Sequence, residues 1–184
     1  WNVGCLCGEN YYGTITSCYA TGAVSGTELV GGLCGWNYEG TITSCYATGA
    51  VSGTSYYVGG LCGHNTDGTI SASYATGTVS GDDYFGGLCG QNFEGTITSC
   101  YAAGAVSGTS YYYVGGLCGR NYEGTISASF WDTDTSGMTI GVGSGSSAGV
   151  TGKATAQMQI LSTFTDAGWD FVGETANGTD DIWR

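Results

Sequence analysis

Apolar residues in this chain come in short alternating runs, cut every few positions by Gly, Asn or Ser. The segment Cys45-Tyr-Ala-Thr-Gly-Ala-Val51 carries the pattern most plainly. Cys45, Ala47 and Val51 share one parity; Tyr46, Thr48, Ala50 and Ser52 share the other. A period of two predicts extended backbone with the first set buried and the second exposed. Ile42 is also apolar but lies three residues from Cys45, so the path is expected to bend near Thr43–Ser44. Helix is not expected here, because Gly recurs throughout and Thr, Val, Ile, Tyr and Cys fill the intervals. Runs of three to seven residues between Gly or Asn punctuation read as short strands.

The pattern then repeats. Taking the Cys of each Gly-Leu-Cys-Gly as a phase marker gives Cys7 (preceded by Cys5-Leu), Cys34, Cys62, Cys89 and Cys118, with steps of 27, 28, 27 and 29 residues. A period of this size means one supersecondary unit stacked on copies of itself. Length varies only in Thr27–Val30, Thr54–Val58, Asp82–Phe85 and Thr109–Val114, which marks that stretch as a surface loop. The expectation is an all-β, single-chain parallel β-solenoid, a right-handed β-helix of about five turns, with two or three strands per turn. At roughly 4.8 Å per turn it would span roughly 24 Å. After Trp131 the period is lost. Gly137–Gly152 reads as a loop, Thr155–Ser162 as one short helix with Met158, Ile160 and Leu161 on its apolar side and Thr155 as N-cap, and Trp169–Val172 as a strand. Residues 1–131 are therefore read as the repeat domain and 132–184 as a C-terminal cap over the open end of the solenoid.

The repeated words Gly-Gly-Leu-Cys-Gly-x-Asn, Gly-Thr-Ile, Cys-Tyr-Ala-Thr-Gly and Val-Ser-Gly resemble the GLUG-motif repeats of large bacterial surface and secreted proteins, in five copies over about residues 3–131. The resemblance implies an exported, adhesin-like or scaffold role, at the bacterial cell surface or outside the cell, and brings no catalytic residues with it. Two departures stand out. Cys5 replaces the second Gly found as Gly32, Gly60, Gly87 and Gly116, and Ser73 and Ser129 stand where Cys18, Cys45 and Cys100 stand in other turns.

Composition sharpens this picture. Glycine supplies 36 residues and proline none, which predicts repeated tight turns with positive φ rather than a flexible linker. Three Lys+Arg against 15 Asp+Glu give a formal charge of −12, which speaks against nucleic acid as partner. No apolar run approaches the roughly 18 residues of a membrane span, so no membrane insertion is expected. The chain opens inside a repeat, as expected of a piece of a longer array or of an end that stacks on another copy.

Stacking turns each repeated position into a column. Asn10, Asn37, Asn65, Asn92 and Asn121 read as a structural ladder of amides. Cys7, Cys34, Cys62, Cys89 and Cys118 read as small buried residues with free thiols, as do Cys18, Cys45 and Cys100. A disulfide within one turn, such as Cys34–Cys45, is disfavoured because Cys62 and Cys118 would lack partners. Glu39, Asp67, Glu94 and Glu123 form a solvated acidic column. Asp132-Thr-Asp-Thr-Ser-Gly137 resembles the opening of a Ca²⁺ loop, with Asp132, Asp134 and Ser136 as candidate ligands, but Gly143 occupies the place of the distal Glu. Otherwise no cofactor is expected. Tyr56, Tyr57, Tyr84, Tyr111, Tyr112 and Tyr113 fall in the variable loops, and tyrosine there suits glycan or protein contacts.

Three function classes follow. An extracellular structural or adhesive module would use the tyrosine edge toward glycan, a surface protein, neighbouring repeats or further copies of itself, by end-to-end or lateral contact. An ice-binding solenoid would use the Thr-x-Thr rows, as at Thr41-Ile-Thr43. A carbohydrate-active β-helix enzyme would need clustered acids with a base, but Arg120, Lys153, Arg184 and the lone His64 are the whole basic inventory. The first reading is preferred, and the chain is not expected to be an enzyme.

Overall fold

The alternating run at 45–51 has most of the burial its pattern predicts: Cys45, Ala47 and Val51 are buried and Thr48, Ala50 and Ser52 exposed, but Tyr46, expected to be exposed, is half-buried between Tyr19 and Tyr74. A computed structural model places it in a parallel β-solenoid of five turns, and describes residues 1–109, 112–173, 177–178 and 182–183. Each turn holds more, shorter strands than expected. In the second turn they are Val30–Gly31, Cys34–Tyr38, Thr41–Thr43, Tyr46–Ala47 and Val51–Gly53. Equivalent strands pair in parallel and in register. Val30 lies between Val3 and Val58, Asn37 between Asn10 and Asn65, and Ile42 between Ile15 and Ile70.

The extra breaks come from left-handed residues, and they are not glycines. Three columns take φ between 43° and 64°: Tyr12, Glu39, Asp67, Glu94 and Glu123; Ser17, Ser44, Ala72, Ser99 and Ala128; and Leu29, Tyr57, Tyr84 and Tyr113. The bend expected near Thr43–Ser44 is one of these. Among the described residues, no glycine before Gly137 has positive φ. The expectation that glycine serves the turns is therefore corrected. Within the repeats glycine permits close backbone approach: a Cβ on Gly31 would lie 1.9 Å from the Cys34 carbonyl oxygen, and one on Gly49 would lie 1.9 Å from that of Gly22.

The interior is layered by column. Ile42, Leu33, Cys34, Cys45 and Ala47 and their equivalents fill one cluster; Val30, Val51, Val58, Val79 and Phe85 belong to a second. The Asn amides form a continuous ladder. Each Nδ2 donates to the Oδ1 of the next turn at 2.7–2.9 Å, from Asn10 through Asn37, Asn65 and Asn92 to Asn121, and the ladder ends on the Ser146 carbonyl at 3.0 Å. The same Nδ2 groups also reach carbonyls three residues on, as Asn37 does to Gly40 at 2.9 Å. In this way the ladder braces the left-handed turn at Glu39.

All nine cysteines are free thiols. The column with serine substitutions is more than apolar filling. Cys45 Sγ donates to the Thr43 carbonyl at 3.1 Å, and Ser73 Oγ does the same to Ser71 at 2.7 Å. Each also accepts a backbone N–H from the preceding turn, Cys18 to Cys45 Sγ at 3.4 Å and Cys45 to Ser73 Oγ at 3.0 Å. Ser replaces Cys because both can donate and accept at this point. Burial pushes the Cys100 thiol up to about 12, so it stays protonated.

The C-terminal segment does two separate jobs. Residues 142–145 and 150–153 pair onto the fifth turn as a partial sixth, and Trp131, which takes the place of the stacked alanines, closes the core beneath them. The rest folds back along the side of the solenoid, not over its end. Tyr19, Tyr46, Tyr74 and Tyr101 stack at 4.8–5.2 Å there, and Phe130 continues their row. Trp169, 1% exposed, packs against Phe130 and donates from Nε1 to the Ala128 carbonyl at 2.8 Å. The single expected helix is divided into α2 (Thr155–Met158) and α3 (Leu161–Thr165), because Ile160 is extended. The N-cap of α2 is Ala154, not Thr155. A further short helix, α1 (Thr133–Ser136), follows the fifth turn. Among the described residues the expected strand at Trp169–Val172 is reduced to one bridge, Phe171 to Trp183.

Candidate functional site

The variable loops bring the predicted tyrosines to one edge but divide them into two kinds. Tyr57, Tyr84 and Tyr113 occupy the left-handed position that precedes the buried Val58, Phe85 and Val114. Being left-handed, they turn the chain into the solenoid wall, and their rings follow one another along the axis, tilted by 44° between Tyr57 and Tyr84 and stacked between Tyr84 and Tyr113. Tyr57 lies 5.2 Å from Tyr84, and Tyr84 lies 4.5 Å from Tyr113 at an interplanar angle of 13°. Tyr56 and Tyr112 stand outside this column and are exposed. Tyr111 lies outside the described residues.

The column has a neighbour that the loop-based reading missed. The variable position of Gly-x-Asn supplies Glu9, Trp36, His64, Gln91 and Arg120, held in line by strand register. Its signal was present in the sequence, as a freely varying residue between fixed ones. His64 stacks on Tyr57 at 4.8 Å, and burial pushes its pKa down to about 4, so the ring is neutral at neutral pH. The Arg120 guanidinium lies 4.7 Å from the Tyr122 ring, 5.8 Å from Tyr84 and 5.9 Å from Tyr113. Such cation–π contacts use the face of the guanidinium and leave its edge donors available. Gln91 is 3% exposed, and its Oε1 is buried with no hydrogen-bond partner.

The segment resembling a Ca²⁺ loop is a capping device in this structure. Asp132 Oδ1 accepts the Asp134 and Thr135 amides at 3.0 and 3.1 Å, and the Thr155 hydroxyl donates to the same carboxylate at 2.8–2.9 Å. Asp134 Oδ2 accepts the Thr155 amide at 3.0 Å, and Ser136 Oγ accepts that of Met138 at 3.2 Å. Asp132, Asp134 and Ser136 thus hold α1 and tie α2 to it. Among the described residues no three His, Cys, Asp or Glu side chains converge as a metal site requires.

Of the two hydroxyl rows, the one through Thr43, Ser71, Thr98 and Ser127 is partly paired within itself. Ser71 Oγ donates to Thr43 Oγ1 at 3.0 Å and Ser127 Oγ to Thr98 Oγ1 at 2.9 Å. Trp169 and Trp183 of the returning segment share a cleft with Thr43, Ser71 and Thr98, so this face is walled along one side. A second cleft of about 310 Å³ lies between that segment and the tyrosine row, lined by Tyr101, Phe164, Trp169, Phe171 and Trp183. Among the described residues no helix is long and apolar enough to cross a membrane.

A family model described as the GLUG motif matches residues 1–25, 26–52, 54–80 and 81–107, more than half of the chain. The fifth unit lies beyond the matched residues but keeps the same register, with Cys118 and Asn121 opposite Cys89 and Asn92. No curated protein and no solved structure matches the chain.

Proposed function

Because the chain belongs to the GLUG-motif family, we propose that this repeat module is an extracellular or bacterial cell-surface structural element that uses its tyrosine edge for adhesive contact with glycan or protein. The observation that carries this reading is the position of the tyrosine column. It lies on the part of the repeat that varies in length, and its rings are in contact one after another along a rigid wall, Tyr57 tilted against Tyr84 and Tyr84 stacked on Tyr113. Rigid aromatic rings offer large contact area at small entropic cost, and a solenoid supplies many equally spaced copies. Neighbouring repeats and further copies of the chain are the other partners this reading includes.

The alternatives have less behind them. One of the two hydroxyl rows, through Thr43, Ser71 and Thr98, is partly paired within itself and flanked by tryptophan, unlike the open flat array that ice binding calls for. No catalytic role is proposed, since the acidic column is solvent-exposed and the one histidine is stacked on Tyr57.

The test replaces Tyr56, Tyr57, Tyr84, Tyr111, Tyr112 and Tyr113 by Ser. The expected outcome is a retained β-sheet circular-dichroism spectrum with surface attachment or self-assembly weakened at least tenfold. Attachment and assembly equal to those of the parent chain would remove the role assigned to the edge.

A further inference from the structure

We infer that Asn177-Gly178 is a site of spontaneous deamidation, and that its reaction detaches the returning segment from the tyrosine row.

The fold fixes both members of this pair. Asn177 Nδ2 donates to the Thr165 carbonyl at 2.7 Å and to the Trp169 carbonyl at 3.2 Å, so it ties the end of α3 to the tryptophan that anchors the segment. Gly178 has φ 142°, a region nearly closed to other residues, and a Cβ there would lie 2.7 Å from Asp170 Oδ2. Each choice serves the structure, yet together they place an unhindered peptide nitrogen directly after an asparagine. The five ladder asparagines differ on both counts. They precede Tyr, Thr or Phe, and their amides are buried and bonded from turn to turn. Asn177 and Gly178 instead line an open cleft of about 280 Å³ beside Trp169, Asp170 and Trp183, and Gly178 is exposed to water.

The reaction needs only water and base. The Gly178 nitrogen loses its proton and attacks Asn177 Cγ; the Cγ–Nδ2 bond breaks and ammonia leaves. Water then opens the cyclic imide at either carbonyl, which gives aspartate or isoaspartate. The native hydrogen bonds hold the amide in place, so the reaction proceeds from local openings of the segment. Its product prevents reclosure. The new carboxylate has no N–H for the Thr165 and Trp169 carbonyls, and it stands as an anion among acceptors beside the buried Asp170. Isoaspartate also adds a carbon to the backbone. The segment can then no longer close over the row, where Trp183 meets Tyr74, Trp169 meets Tyr101 and Phe164 meets Phe130. A transient opening becomes permanent, and the aromatic side of the solenoid is uncovered.

The test incubates the full chain at pH 8.5 and 37 °C, follows modification by peptide mass spectrometry and isoaspartyl methyltransferase labelling, and follows release by brief chymotrypsin digestion. Deamidation is expected at Asn177 and not at the ladder asparagines, with cleavage within residues 155–184 rising in step and the five turns staying protected. Asn177→Asp should be cut there at least tenfold faster than the parent chain from the start, with its β-sheet circular dichroism retained. Asn177→Gln, whose side chain closes an imide ring far more slowly, should show no gain of cleavage with time. An intact Asn177 after incubation overturns the site. Modification without added cleavage, or a gain of cleavage with time that persists in Asn177→Gln, overturns detachment by this reaction.

Discussion

At the scale of single residues, glycine and the left-handed positions have exchanged their usual roles. Ser44 adopts φ 53°, and a non-glycine residue there carries a cost of roughly 1–2 kcal/mol. Gly49, five residues on, needs no special φ but has the Gly22 carbonyl where its Cβ would stand. Urea unfolding should therefore separate them. Gly49→Ala is expected to destabilise by about 2 kcal/mol or more through overpacking, while Ser44→Gly should be neutral or stabilising by up to about 1 kcal/mol. The reverse order would mean that the repeat glycines serve the turns after all. His64 gives a second residue-scale prediction. Trp36 and Tyr57 stack on its ring, Thr66 Oγ1 lies 3.3 Å from Nε2, and its pKa is lowered to about 4 by burial. The unfolded chain, with a histidine near 6.5, binds more protons than the native state between those values. Stability from this group is whole above about pH 6.5 and is lost as pH falls toward 4. Allowing for partial exposure, the loss is about 1–2 kcal/mol. The difference in urea midpoint between the parent chain and His64→Gln should shift in favour of the variant from pH 7 to pH 4.5; a difference independent of pH would refute the assignment.

At the scale of elements, the solenoid and the returning segment differ in what holds them. The turns are tied by in-register strand pairing and by the Asn ladder, which repeat for every unit. The returning segment is held by a few large contacts: Trp169 against Phe130 and Phe164, Trp169 on Trp183 at 4.5 Å, and the bond from Trp169 to Ala128. Removing Trp169 is expected to cost about 3–5 kcal/mol locally, the range of large-to-small core substitutions. Because stability in a repeat array is close to a sum of neighbouring terms, the loss should stay local. Limited proteolysis of Trp169→Ala should cut within residues 155–184 and leave a protected fragment of the five turns. Cleavage throughout the repeats would show that the side segment supports the whole solenoid. Trp169→Phe should keep most of the protection.

At the scale of the molecule, the two ends of the solenoid are unlike. Trp131 and the strands at 142–145 and 150–153 close the fifth turn, and the Asn ladder terminates on Ser146. End-to-end contact through that face would have to displace this closure, whereas among the described residues no comparable strands pair onto the outer side of the first turn. The acidic column also acts at this scale. Glu39, Asp67, Glu94 and Glu123 recur on one exposed line of a chain with charge −12, and like charges at turn spacing repel. Thermal midpoints should therefore rise by several degrees between 10 mM and 150 mM NaCl, over which the screening length falls from about 30 to about 8 Å. A midpoint that falls with salt would mean that attractive pairs outweigh this repulsion.

The sequence by itself determined the period, the parallel stacking, the buried parity at Cys45, Ala47 and Val51, the Asn ladder and the approximate limit of the repeats. Each is set locally, because register copies one turn's choices onto the next. Tertiary structure alone decided matters that depend on residues distant in the chain. Glycine's role at Gly49 is fixed by a carbonyl 27 residues away, and the Cys-to-Ser exchange at Ser73 by an N–H 28 residues away. The tyrosine loops were legible as a candidate edge. The Arg120, His64 and Gln91 column beside them was not assembled, because those residues approach Tyr57, Tyr84 and Tyr113 only when the chain turns back on itself. The returning segment was read as an end cap for the same reason. Its apolar residues announce burial, but only the folded molecule shows that the surface they cover is the side of the tyrosine row.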